Sequence, residues 1–246
     1  MGARAGRSAV ARLDDVLAEA VEDGSLVGFG GGELRRKPVA AARALAGLGR
    51  RDLRIVTLLG SVEVELLLGS GCVGEVHSAG VALAGLAPRW REARQTGSPR
   101  AVEWSEGSLA VSLQAAALGL DSFLWPSGVG TDLPAVNPWL KETADPHTGA
   151  PVLAVRALVP DVALIHAHGV DEEGNVYIEG DLIADELLAR AGRRVIVTYE
   201  RLVPSTPETA AISRLFVDDV VEAPGGAAPT ACLPLYDVDR DGLGAL

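Results

Sequence analysis

SLVGFGGGELRRKP, residues 25–38, carries an apolar run through three consecutive glycines to a proline. Residues 25–29 read as a short buried strand and Gly30, Gly31 and Gly32 as the turn that ends it. Pro38 fits the first position of a helix over 38–48, because the first helical turn leaves its N–H groups without partners and proline has none to lose. Gly49 then stops that helix. A strand, a tight turn and a returning helix form half of a βαβ unit.

The alternation extends outward in both directions. Residues 8–23 place Val10, Leu13, Leu17, Ala20 and Val21 on one helical face and Asp14, Asp15, Glu19 and Glu22 on the other, with Gly24 as the stop. Downstream, LRIVTLL (53–59) is a buried strand, followed by a short helix near 62–68 and a strand at 72–77. A polar-faced helix spans 88–97, and a helix over 106–119 repeats Leu109, Leu113, Ala116 and Leu120 at helical spacing. Residues 125–150, rich in Pro, Gly, Asn and Asp, read as a long functional or interface loop. PVLAVRAL and DVALIHAH are strands, DEEGN is a turn, 182–191 is a helix and RRVIVTYE is a further buried strand. The tail from about 204 reads as irregular, with EAPGGAAPTACLP lying over a surface. Apolar strands alternating with helices define an α/β fold: an open, mostly parallel sheet with helices on both faces, in one three-layer domain over 1–246. Ligands of such sheets collect at the carboxyl ends of the strands, which singles out the loops after Phe29, Leu59, Leu124 and His166.

Bulk properties narrow the function. The chain has 246 residues, is 48% hydrophobic and carries a net charge of −11, so a packed interior is expected and a nucleic-acid backbone is repelled. Cys72 and Cys232 stand far apart in no metal spacing, as in a reducing compartment. No stretch has the apolar length of a membrane span, and MGARAGRSAV lacks both a signal-peptide core and a myristoylation pattern, so a cytoplasmic protein without membrane contact is expected.

Four stretches could carry chemistry. The glycines at 30–32 let a backbone approach a ligand and aim N–H groups at an anion, and Arg35, Arg36 and Lys37 are the densest basic run in the chain. Arg35 and Lys37 are the candidates for a carboxylate or phosphate, which a guanidinium fork or a lysine point charge would bind. EWSEGSL (103–109) places two acids around Trp104 and Ser105 at a helix start. Ser105 caps that helix and Glu106 enters its first turn, where the dipole favours an anion; the same carboxylate becomes a nucleophile or base only if a pocket partly desolvates it. Glu103 is the second-choice acid and otherwise ends a strand. PSGVGTDLP (126–134) offers the N–H groups of Gly128 and Gly130 to an oxyanion. His166 and His168 in HAHG supply at most half a zinc site, so no metal is expected.

Taken in order, VGFGGGELRRKP, EWSEGSLAVSLQAAALGL, GVGTDL, PDVALIHAHGVDEEGN, VIVTYE and VEAPGGAAPTACLPLYDVD resemble the A (alpha) subunit of family I CoA-transferases of the glutaconate type, across some 220 residues. The resemblance implies a homologous B (beta) subunit in an (AB)₂ heterotetramer. It also implies coenzyme A as an acyl-CoA substrate rather than a permanently bound cofactor, and transfer of CoA between carboxylic acids through enzyme-glutamyl intermediates. In heteromeric members the nucleophilic glutamate usually lies in the B subunit within Ser-Glu-Asn-Gly. SEGS at 105–108 resembles that motif in an A-like chain. RRKP, SEGSLAVSLQAAA and EAPGGA also resemble a steroid-degradation branch of the family, hydrolases that open a cyclic β-keto CoA ester with an A-subunit glutamate as base; that glutamate corresponds to Glu106. A subunit that only completes its partner's site is the non-catalytic alternative.

Overall fold

The computed structural model describes residues 12–83 and 87–244. At the centre of the larger sheet lies β1 (Leu26–Phe29), flanked by β2 (Leu53–Gly60), β3 (Val73–Val81) and β4 (Arg100–Glu103) on one side. On the other side lie β8 (Val162–Val170), β10 (Arg194–Leu202) and β11 (Asp219–Glu222), giving the order β11-β10-β8-β1-β2-β3-β4 with every neighbour parallel. The short β9 (Val176–Tyr177) turns back antiparallel on β8. All nine residues of β8 are buried, as expected of a central strand covered on both faces.

One face is packed by α1 (Leu13–Ala20), α2 (Val39–Gly47) and α3 (Val62–Ser70), whose Leu17, Leu45 and Leu67 meet Val27, Phe29 and Ile55. The polar-faced α4 (Pro88–Thr96) rests on α3. The opposite face is covered by α5 (Glu106–Ala117) and α7 (Asp185–Ala191), with Leu113 and Leu188 against Ile165 and Val197. The expected parallel α/β layering is therefore present. Its first helix begins, in the sequence reading, at residues that lie outside those described. No helix among the described residues is long and apolar enough to cross a membrane.

Four expectations need correction. Residues 125–150 are not one loop: they hold the short α6 (Leu133–Val136) and β6 (Leu140–Ala144). PVLAVRAL does not join the parallel sheet; as β7 (Pro151–Arg156) it pairs antiparallel with β6 and with β5 (Ser122–Trp125) in a second sheet of order β5-β7-β6. Four of the five β6 residues are exposed, so the strand carries no apolar alternation to read. Leu140, Leu153 and Val155 of this sheet pack with Leu109 of α5 and Val102 of β4. The tail is also more ordered than expected. β11 extends the parallel sheet, and Ala227, Thr230, Ala231 and Cys232 are buried. Ala231 N–H donates to Leu34 O at 2.8 Å and Arg36 N–H donates to Ala231 O at 2.7 Å, so the tail closes the back of the glycine turn before ending in α8 (Arg240–Gly244). Finally, Leu120 lies past the end of α5 and is exposed; the buried face of that helix is Ser108, Leu109, Ser112, Leu113 and Ala115.

Candidate functional site

The glycine turn after β1 sits at the carboxyl edge of the parallel sheet, but its amides point inward. Gly30 N–H donates to Leu164 O at 2.9 Å, Gly31 N–H to Asp185 Oδ1 at 2.9 Å and Gly32 N–H to Arg35 O at 3.0 Å. The expected array of donors aimed at an anion is thus occupied by the protein itself. Glycine is required here for close approach: a Cβ at Gly30 would lie 2.2 Å from Asp185 Oδ1, and Gly31 adopts φ +66°.

The basic run divides three ways. Arg36 is buried; its Nη2 donates to Asp185 Oδ2 at 2.9 Å and to Asp181 O, and its Nη1 donates to His166 O at 3.2 Å. Lys37 is buried as well, with Nζ 2.9 Å from both Thr57 Oγ1 and Glu63 Oε1. That correction has a physical cause: a lysine this deep needs a paired carboxylate, and Glu63 supplies it. Only Arg35 reaches solvent, where Nη1 meets Asp181 Oδ2 at 2.8 Å. Arg35, Arg36, Glu179, Asp181, Ile183 and Leu233 line a cleft of about 440 Å³.

Glu106 opens α5 at the end of β4. Ser105 Oγ accepts the Ser108 N–H and Ser108 Oγ accepts the Ser105 N–H, each at 3.1 Å, so serine takes the part that glutamate usually plays in a capping box. The Glu106 side chain is exposed and has no hydrogen-bond or ion-pair partner among the described residues. Beside it, a Cβ at Gly107 would lie 3.4 Å from the Trp125 ring. Trp104, just before the cap, is buried, with its ring 6.1 Å from His77 and 6.4 Å from Trp139. Glu103 faces solvent and pairs with Arg94 at 3.0 Å.

Gly128 and Gly130 have φ +91° and +74°. They follow β5 of the small sheet, not a parallel strand, and the Gly130 N–H donates to Glu142 Oε1 at 3.0 Å. Through Trp125 this loop begins beside the start of α5. The structure therefore brings the EWSEGSL and PSGVGTDLP stretches together and keeps Lys37 inside.

His166 and His168 do not form an open metal half-site. His166 Nε2 lies 2.7 Å from Glu200 Oε1 and Nδ1 lies 2.9 Å from Thr198 Oγ1. Burial raises the Glu200 carboxyl, but bonds from His166, Tyr236 and the Gly225 N–H outweigh it and hold the group at about 2. His168 donates from Nε2 to Leu233 O and accepts the Glu179 N–H at Nδ1; burial lowers its pKa. His166, Glu200 and Cys232 do bring ligand atoms within 4.8 Å of one another. Burial pushes the Cys232 thiol up to about 12, so it is a poor thiolate donor, and His166 and Glu200 are already bonded to each other. Sequence reasoning passed over Asp185, Glu63, His77, Glu200 and Tyr236. Glu200 alone left a trace, as the acid that ends an apolar strand.

Comparison with known proteins agrees with this architecture. Residues 10–223 match the family model described as Coenzyme A transferase. The chain is 34% identical to the A subunit of 3-oxoadipate CoA-transferase of Pseudomonas knackmussii, covering 93% of this chain and 83% of that protein. It is 33% identical to the cholesterol ring-cleaving hydrolase IpdA subunit of Mycobacterium tuberculosis, with the same coverage of 93% and 83%. It also matches an uncharacterized protein of Archaeoglobus fulgidus at 33% identity over 93% of this chain, spanning 53%, about half, of that relative's length. Among solved structures, the glutaconate CoA-transferase of Acidaminococcus fermentans superposes with TM-score 0.89 at 28% identity, over 95% of this chain and 81% of that one. A variant of the decarboxylase AibA/AibB superposes with TM-score 0.87 at 34% identity, over 96% and 90%. With a parallel sheet, a glycine turn and a capped acidic helix start in a chain that matches such proteins along nearly its whole length, this chain belongs to the coenzyme A transferase family.

Proposed function

We propose that this chain is the A subunit of a heteromeric acyl-CoA:carboxylate CoA-transferase, acting in the cytoplasm with a homologous B subunit in an (AB)₂ heterotetramer. The observation that carries this reading is the match, over 93% of the chain, to a protein named as the A subunit of a CoA-transferase. In the proposed reaction an enzyme glutamate attacks the thioester carbonyl. The C–S bond breaks, CoA leaves as thiolate and an acyl-glutamyl anhydride remains. The thiolate then attacks the glutamyl carbonyl, releasing the first carboxylate and leaving a glutamyl-CoA thioester. The acceptor carboxylate reverses the sequence and leaves as the new acyl-CoA, and the enzyme glutamate is regenerated. The B subunit supplies that nucleophile. This chain supplies one wall of the cleft, with Glu106 and the Gly128–Gly130 loop at its rim and Arg35 as the exposed cation for substrate carboxylate or phosphate.

A second reading is favoured by one observation. The Glu106 carboxylate has no partner among the described residues and follows directly on the Ser105 cap, at a rim that a B subunit would cover and so partly desolvate, and a relative at 33% identity is named as a subunit of a ring-cleaving hydrolase. In that reading Glu106 is the base that activates water or removes a substrate proton. The test is co-purification with the partner subunit followed by borohydride reduction in the presence of acyl-CoA. The transferase reading expects a trapped glutamyl adduct, located by mass spectrometry. No adduct on either chain, with acyl-CoA consumed without a carboxylate acceptor and E106Q inactive, establishes the hydrolase instead. If E106A turns over like wild type and the adduct sits on the partner, Glu106 has no chemical part and this chain is a scaffold.

A further inference from the structure

Glu75 and His77 are two residues apart on β3, so both project to the face covered by α5 and the small sheet. His77 is completely buried. Its Nε2 lies 2.6 Å from Glu75 Oε1, and its Nδ1 receives the Trp104 Nε1–H at 3.2 Å. An indole nitrogen only donates, so Nδ1 must present its lone pair and the imidazole proton must be on Nε2, facing Glu75. Arg100 Nη1, 3.3 Å from Glu75 Oε2, closes the outer end. Trp139 packs edge-on to the imidazole at 5.6 Å.

The inner end of this chain of bonds is the start of α5. Trp104 N–H donates to Ser78 O at 3.2 Å, and Asn137 Nδ2 donates to Glu103 O at 2.9 Å. Trp104 is thus held by its backbone and by its ring, one residue before the Ser105 cap and two before Glu106. Neutral apolar side chains would fill the same space without desolvating an imidazole and a carboxylate. What the polar pair adds is direction.

We propose that Glu75, His77 and Trp104 form a positioning relay that fixes the angle at which the chain leaves β4, and so where Glu106 points. The idea rests on the reading that Glu106 borders the reacting centre. His77 and Trp104 touch no substrate; they are positioning residues that act through the capped helix start.

The experiment uses the complex formed with the partner, in three variants. H77Q keeps one acceptor and one donor, H77F keeps bulk and loses both, and W104F loses the indole donor. Amide exchange at Ser108, whose N–H is the capping bond, should quicken about tenfold in H77F and W104F while β8 amides stay as in wild type, and H77Q should stay near wild type. With succinyl-CoA and 3-oxoadipate as the probe pair, kcat should fall by about tenfold to 100-fold in H77F and W104F with KM for succinyl-CoA unchanged, and H77Q should recover most of it. Exchange at Ser108 as slow in H77F and W104F as in wild type overturns the proposal, as does H77Q behaving like H77F. If H77F does not fold, W104F carries the same comparison. If the probe pair is not turned over, the exchange result decides alone. E106Q separates the two ideas: full turnover in E106Q removes Glu106 from the chemistry, whereas the exchange data report the relay whatever Glu106 does.

Discussion

Lys37 Nζ and Glu63 Oε1 lie 2.9 Å apart in a space that neither side chain shares with solvent. The carboxylate also accepts from Thr57 Oγ1 at 3.0 Å, from the Ser61 N–H at 3.1 Å and from Ser61 Oγ at 3.3 Å. Removing one member strands the other as an unpaired buried charge. K37M should therefore lower stability by about 3–5 kcal/mol, read by urea unfolding, whereas K37M/E63Q should recover much of that loss. A ligand-contact role would instead show itself as a raised KM with stability unchanged.

The glycines differ in what confines them. At Gly31, φ is +66° and a Cβ would lie 2.5 Å from Arg36 O, a backbone atom that cannot step aside. G31A should cost about 2 kcal/mol or more, adding left-handed strain to a steric clash. At Gly130, φ is +74° but no atom lies within 4 Å of the added Cβ, so G130A should cost about 1 kcal/mol. For a chain of this size each kcal/mol moves the melting midpoint by about 2–4 °C, which thermal unfolding resolves.

These contrasts show what was readable beforehand. β1, β2, β8 and β10 are buried on both faces over most of their length, and a continuous apolar run of strand length announces that. The Ser105 cap was readable because capping is local. The small sheet was not, because β6 is polar and its partner β7 resembles a parallel strand in composition. Nor was the fate of the basic run. Gly31 and its acceptor Asp185 are 154 residues apart, and no local pattern says that this carboxylate will take both the Gly31 amide and the Arg36 guanidinium. Arg35, Arg36 and Lys37 look alike in sequence, and tertiary pairing alone separates the exposed one from the two inside.

Glu103 and Glu106 flank the same cap, yet among the described residues only Glu103 has a side-chain partner. Its pair with Arg94 is exposed on both sides, and such pairs contribute about 0–1 kcal/mol. E103Q should leave the melting midpoint within a few degrees of wild type and turnover of the complex unchanged. A large loss of activity in E103Q would exchange the roles assigned to the two acids.

Acid stability should report the Glu200 network. Burial acts to raise this carboxyl, yet the bonds from His166, Tyr236 and the Gly225 N–H bring it from its ordinary 4.5 to about 2. A folded-state pKa below the unfolded one means that the unfolded chain binds the proton more readily. The stabilisation is therefore complete above about pH 4.5 and is lost as pH falls from there to about 2. It is worth at most on the order of 3 kcal/mol. E200Q keeps acceptor oxygen for Tyr236 or Gly225 but cannot titrate. Unfolding free energies between pH 7 and 2 should thus fall less steeply in E200Q than in wild type. Asp171, also held at about 2, leaves a residual slope in both proteins. Parallel curves for the two would show that Glu200 has no linkage to folding, and that the bonds around it do not favour its ionised form.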